Sequence, residues 1–130
     1  MSFEEQKIGI VVQTEGNPLV KGYPNEYAQV LLNILMNARD ALIADEVNDA
    51  LILIKSFSEG DTAIVTITDN AAGIDEEIIK KLFEPYFTTK GPDQGTGIGL
   101  FMAKTIIEKN MGGRLTVRNT ENGAEFRIEV

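Results

Sequence analysis

Arg114-Leu115-Thr116-Val117-Arg118-Asn119 and Ala124-Glu125-Phe126-Arg127-Ile128-Glu129-Val130 flank the short link Thr120-Glu121-Asn122-Gly123. Along both runs apolar and polar residues alternate strictly. Leu115 and Val117, then Phe126, Ile128 and Val130, project to one side. Arg114, Thr116, Arg118, Glu125, Arg127 and Glu129 project to the other. Period-two alternation of this kind is the pattern of a strand with one face on a core and one in water. Glu121-Asn122-Gly123 supplies the turn chemistry of a hairpin. The C-terminal stretch therefore predicts a two-stranded piece of a sheet with one apolar face, which needs a second layer to cover it.

The covering layer is legible upstream. Pro24 and Asn25 mark a helix start, with Asn25 as the expected cap, and Glu26 to about Ile43 contains no Gly or Pro. Gly97 to about Lys109 predicts a second long helix, ended by Gly112-Gly113. Asp75 is placed to cap a short helix ending near Phe83. Lys7–Thr14, Leu51–Phe57 and Ala63–Asp69 read as further strands, the last two joined through Ser58-Glu59-Gly60-Asp61. Glu84 to Thr96, with two prolines and, counting Gly97 at its edge, three glycines, reads as a mobile loop. The expected fold is one α/β (α+β) domain over residues 1–130. It is a two-layer sandwich, with a mixed, mostly antiparallel sheet of about five strands and about three helices on one face.

Composition removes several chemistries. The 130 residues include no Cys and no His. Disulfides, thiolate nucleophiles, histidine bases and zinc sites built on these ligands are thereby excluded. The net charge of −8 disfavours nucleic-acid binding, which requires a basic face. No apolar run approaches the ~20 residues needed to span a bilayer, and the expected location is cytoplasmic, with attachment to a membrane sensor left open for the full-length protein.

Four short stretches remain as candidates. On the first helix Leu31, Ile34, Leu35, Ala38 and Leu42 form an apolar stripe, with Asn33, Asn37 and Asp40 roughly opposite. Asn33 and Asn37 stand one turn apart, and their amide oxygens are hard neutral ligands suited to Mg²⁺ beside phosphate; the plain alternative is a solvated helix face. Along Ala63–Asp69, alternation sends Asp69 to the side of Ala63, Val65 and Ile67. An ionised acid at the end of a core-facing row requires donors, and an exocyclic amine of a purine is one; the alternative is that Asp69-Asn70 merely opens a turn. Gly95-Thr96-Gly97-Ile98-Gly99-Leu100 leads into the second helix, where backbone N–H groups can approach phosphate. It is neither a dinucleotide fingerprint nor a P-loop, and a packing hinge would look similar. Leu82-Phe83-Glu84-Pro85-Tyr86-Phe87-Thr88-Thr89-Lys90 sets an aromatic anchor before two hydroxyls and a cation; Phe83, Tyr86 and Phe87 read most simply as hydrophobic fasteners.

In this order and spacing the four stretches resemble the catalytic, ATP-binding domain of sensor histidine kinases, within the ATPase superfamily shared with DNA gyrase, mismatch-repair ATPases and heat-shock chaperones. Asn33-Ile34-Leu35-Met36-Asn37-Ala38 resembles the family's Asn box. Asp69-Asn70-Ala71-Ala72-Gly73-Ile74 and Gly95–Leu100 resemble its two Gly boxes, and Leu82–Lys90 its Phe box. Gly123-Ala124-Glu125-Phe126 fits the last box more loosely.

The resemblance implies ATP and Mg²⁺ as cofactors. By it, Asp69 accepts from the adenine amino group, Gly73 and Ile74 border the base, and Asn33 and Asn37 face the metal and phosphates as catalytic residues. Lys90, Thr96, Gly97, Gly99 and Leu100 line the phosphate tail. Relatives that hydrolyse ATP usually carry Glu where Asn33 stands, so phosphoryl transfer to a protein, with slow hydrolysis, is expected. The implied acceptor is a histidine. Since this chain has none, a histidine-bearing dimerisation domain is expected elsewhere in a longer protein, which would be a homodimer acting on a response regulator; the isolated domain is expected to be a monomer. Ala71 and Ala124 depart from the family pattern, where Gly and Thr or Ser are common. Two other readings compete: a non-catalytic nucleotide-binding switch, and an anti-sigma-type serine/threonine kinase of the same superfamily.

Overall fold

The computed structural model describes residues 7–16, 22–87 and 98–130. The chain runs β1 (Gly9–Thr14), α1 (Pro24–Ala44), β2 (Leu51–Glu59), β3 (Thr62–Asp69), α2 (Glu76–Ile79), α3 (Gly99–Thr105), a π-helical continuation (Ile106–Asn110), β4 (Arg114–Asn119) and β5 (Ala124–Glu129). The strands form one sheet in the order β1-β2-β3-β5-β4. Among the described residues only β1 and β2 pair in parallel, as α1 between them requires; the other three pairings described are antiparallel. This is the expected mixed, mostly antiparallel five-stranded sheet.

The C-terminal hairpin pairs Leu115 with Ile128 and Val117 with Phe126, which sets their side chains on one face. That face meets the helices in a core of Val30, Ile34, Ala38 and Leu42 from α1 and Ala103, Ile106 and Ile107 from the second helix. The β2–β3 hairpin turns at Gly60-Asp61, with Glu59 opposite Thr62. Gly60 has φ +60, a conformation available to Gly without steric cost.

Several expectations need correction. Asn25 does not cap α1; Tyr23 is the N-cap, makes no side-chain capping bond, and Pro24 occupies the first helical position. The fixed φ and missing N–H of Pro24 start the helix in place of a polar cap. α2 stops at Ile79, short of Phe83, although Asp75 caps it as expected, accepting from Glu77 N at 2.9 Å. The second helix begins at Gly99 and widens to a π-helix after Thr105, which brings adjacent Ile106 and Ile107 both into the core. Gly113 N–H then reaches back to Ile107 O at 2.8 Å, and Gly112 turns the chain with φ +69.

The charged face of the sheet is less open than alternation suggests. Ile64 and Thr66 of central β3 are buried on that side. In register they lie opposite Phe57 and Glu129, and opposite Lys55 and Arg127. Arg127 pairs with Glu59 at 2.8 Å and Glu129 at 3.4 Å, so its stem lies over the central strand while its head stays paired. Among the aromatics, Phe83 is a fastener, edge-on to Phe126 at 6.2 Å with Lys104 Nζ 4.6 Å over its ring. Tyr86 is 76% exposed and fastens nothing.

Ile107→Ala should destabilise the domain by about 2–5 kcal/mol in urea unfolding, the usual cost of a buried cavity, while Thr116→Ala on the outer face should change stability by less than about 0.5 kcal/mol.

Candidate nucleotide-binding site

The candidate residues gather along α1 and at the end of β3 that faces the helices. Asp69 closes the core-facing row of β3 and is only 5% exposed. Its Oδ1 accepts two backbone N–H groups, from Ala71 at 3.0 Å and from Ala124 at 3.4 Å. No donor among the described residues reaches Oδ2. Burial pushes the Asp69 carboxyl above its ordinary value, the two N–H groups pull it back, and the nearby Asp45 carboxylate pushes it up again. A buried acid with one satisfied oxygen and one unclaimed oxygen is poised to accept from a bound donor.

The turn after Asp69 is fastened at nearly every residue. Asn70 Oδ1 accepts from Leu51 N at 2.8 Å and its Nδ2 donates to Asp49 O at 3.1 Å. Ala72 N donates to Asp45 Oδ2 at 2.9 Å. Ile74 exchanges two 2.7 Å bonds with the Asn119 amide, N–H to Oδ1 and Nδ2 to O. Of the residues in this turn only Gly73 has positive φ, +91. Ala71, in the place of a usual glycine, is an unstrained residue packed into the core. The turn reading of Asp69-Asn70 holds for both residues: Asp69 Oδ1 accepts from Ala71 N two positions on, as in an Asx-turn, and Asn70 ties the turn to Leu51 and Asp49, which leaves Asp69 Oδ2 without a donor among the described residues.

Asn33 and Asn37 are half-buried and flank the Val30-Ile34-Ala38-Leu42 stripe rather than opposing it. Asn33 Nδ2 donates to Gly99 O at 3.0 Å, tying α1 to the start of α3, and its Oδ1 accepts from Gln29 at 2.8 Å. The Asn37 amide makes no hydrogen bond among the described residues. Asp40, on the same helix face, pairs with Arg39 at 3.2 Å. Asp45 lies twelve positions beyond Asn33, about 18 Å along the helix. α1 therefore spans the site from the start of α3, past Asn37, to the turn at Ala72. Leu100 is half-buried against the core. Lys90, Thr96 and Gly97, and most of the expected loop, lie outside the described residues.

Two residues of the site, Asp45 and Asn119, escaped the sequence reading, and Gly123, read there as a turn residue and as the start of the last box, has a sharper role. A Cβ at Gly123 would overlap the backbone oxygen of Asp69 and come within 2.9 Å of its Oδ1, so only glycine lets β5 approach the acid. Asp45 and Asn119 join through tertiary contacts and carry no local motif.

Because burial raises the Asp69 carboxyl, folding favours its protonated form. Stability is unaffected below the ordinary value of 3.8 and falls as pH rises above it. Asp69→Asn retains an oxygen for Ala71 and Ala124 without the charge. It should melt higher than wild type at about pH 7, and the difference should shrink as pH approaches about 3.5. Scanning calorimetry at the two pH values checks this; a lower melting point for Asp69→Asn at neutral pH would contradict it.

The family described as histidine kinase-, DNA gyrase B- and HSP90-like ATPase matches residues 22–130. The sensor histidine kinase ZraS of Salmonella typhi is 37% identical over 111 residues, 84% of this chain and 22% of that protein. The chain spans less than a quarter of the length of the curated sensors it matches. The solved catalytic domain of histidine kinase ThkA superposes with a TM-score of 0.86 at 32% identity, covering 98% of this chain and 81% of that one. ThkA in complex with response regulator protein TrrA gives 0.78 at 29% identity, covering 98% and 35%. The family match over residues 22–130 and the likeness to the ThkA catalytic domain show that the chain belongs to this ATPase family, as a histidine kinase catalytic domain.

Proposed function

We propose that this domain binds Mg²⁺-ATP and transfers the γ-phosphoryl group to a histidine on a separate dimerisation domain. The observation that carries the reading is Asp69: a buried carboxylate held by two N–H groups on one oxygen, with no donor among the described residues on the other. The adenine amino group is the donor that fits Oδ2. Gly73, which lacks a Cβ, and Ile74 border the base. The Asn37 amide, uncommitted among the described residues, holds the metal, with Asn33 beside it fixing the start of α3. When bound, Mg²⁺ neutralises phosphate oxygens and orients the transferring group. Gly99 and Leu100 present backbone N–H groups toward the phosphate tail. The same role is assigned to Lys90, Thr96 and Gly97 on sequence resemblance alone.

The acceptor imidazole nitrogen forms the N–P bond as the bond from the γ-phosphorus to the ADP oxygen breaks, and the imidazole proton leaves to water. Position and charge neutralisation are what the site supplies. Asn33 is an amide and cannot take a proton from water, so hydrolysis is slow. The acceptor domain, dimerisation and a response regulator belong to the longer protein; ThkA, solved with TrrA, supports that partner class. No helix among the described residues is long and apolar enough to cross a membrane, and a cytoplasmic location is proposed.

Incubated with Mg²⁺-ATP and the histidine-bearing domain of its full-length protein, this chain should produce acid-labile phosphate on that domain and none on itself. Asp69→Ala should weaken ATP binding about 10- to 100-fold, as loss of a hydrogen bond to a buried charge does. Asn37→Ala should abolish the dependence of binding on Mg²⁺. Acid-stable phosphate on the acceptor would indicate hydroxyl transfer; ATP binding with no transfer would indicate a switch module; either overturns the histidine kinase reading.

A further inference from the structure

Asn119 ends β4, outside every motif that marks the site, yet it joins both backbone segments that hold Asp69. One segment is the turn after β3. Asn119 receives Ile74 N–H on Oδ1 and donates Nδ2 to Ile74 O, both at 2.7 Å. A Cβ on Gly73 would lie 3.0 Å from the same Oδ1. The amide therefore seals one end of the turn whose other end, Ala71, donates to Asp69. The other segment is β5. Asn119 is the register partner of Ala124, the second donor to Asp69. Glu76 Oε1, 3.4 Å from Nδ2, holds the amide from the α2 side.

From this geometry we propose that Asn119 is a positioning residue for purine selection: it holds the Gly73-Ile74 backbone and the β5 strand in the relation that aims Asp69 at a 6-amino group. It touches neither base nor phosphate. Its effect is on how sharply the acid discriminates an amine-bearing purine from one without the amine. The alternative is that the Asn119–Ile74 pair is a strut for the fold alone. A strut would change melting temperature and weaken all nucleotides together.

The inference rests on the ATP-binding reading. Binding is measured by calorimetry for the purified chain with Mg²⁺-ATP and with Mg²⁺-purine riboside triphosphate, which lacks only the 6-amino group. Wild type should prefer ATP. Asn119→Ala should lose about tenfold in ATP affinity, roughly one charge-assisted hydrogen bond, with less than about a twofold change for the amine-free analogue, so that the preference collapses. Should Asn119→Ala fail to fold, isosteric Asn119→Asp reads the same ratio: it keeps the acceptor for Ile74 N–H and loses the donor to Ile74 O. An unchanged ratio in the folded variant, or equal weakening of both nucleotides, overturns the inference while leaving the ATP site standing. Failure of wild type to bind ATP at all takes down both.

Discussion

The carboxylate of Asp69 is the constraint around which this domain is arranged. An ionised group at the end of a core-facing row is costly, and the fold offsets part of that cost with two backbone N–H groups aimed at a single oxygen. That arrangement dictates the surroundings. β5 must run close enough for Ala124 to donate, which leaves no space for a side chain at Gly123. The turn after β3 must double back so that Ala71 can donate, which Gly73 permits with φ +91. Asp45 adds a second negative charge near the first, an arrangement that opposes ionisation of Asp69; its return is the bond to Ala72 N that holds the turn against the end of α1.

α1 connects that end of the site to the other. Its apolar stripe buries against the sheet, and its flanks are left for polar work. Asn33 binds the first residue of α3, and Asp45, one residue beyond the helix, binds the turn. A rigid helix so fixed at both ends gives Asn37 a defined place between the start of α3 and the turn after β3. Rigid placement suits phosphoryl transfer, which asks a protein for positioning and charge neutralisation more than for covalent chemistry.

What was legible in the sequence follows from how local each feature is. The alternation of Arg114–Val130 announces its hairpin because side-chain direction in a strand is fixed by position alone. The same rule sends Asp69 inward with Val65 and Ile67. α1 announces itself by length and by the absence of Gly and Pro. Asn25 looked like a cap because Asn often is one, but Pro24 already satisfied the start of the helix. The π-helical end of the second helix is set by the demand to bury both Ile106 and Ile107, a tertiary effect without a sequence period of its own. Asn119 and Asp45 were illegible for the same reason: each acts on a turn far away in the chain, and nothing beside it in the sequence says so. Burial of Ile64 and Thr66 on the charged face likewise depends on neighbours that only strand order brings together.

The most direct test of this account is a crystal structure of the domain with Mg²⁺ and a non-hydrolysable ATP analogue. The account predicts the exocyclic amine of the base within hydrogen-bond distance of Asp69 Oδ2, with Oδ1 still on Ala71 and Ala124, and the metal on the Asn37 amide oxygen. A base seated away from Asp69, or a metal held without Asn37, would contradict it.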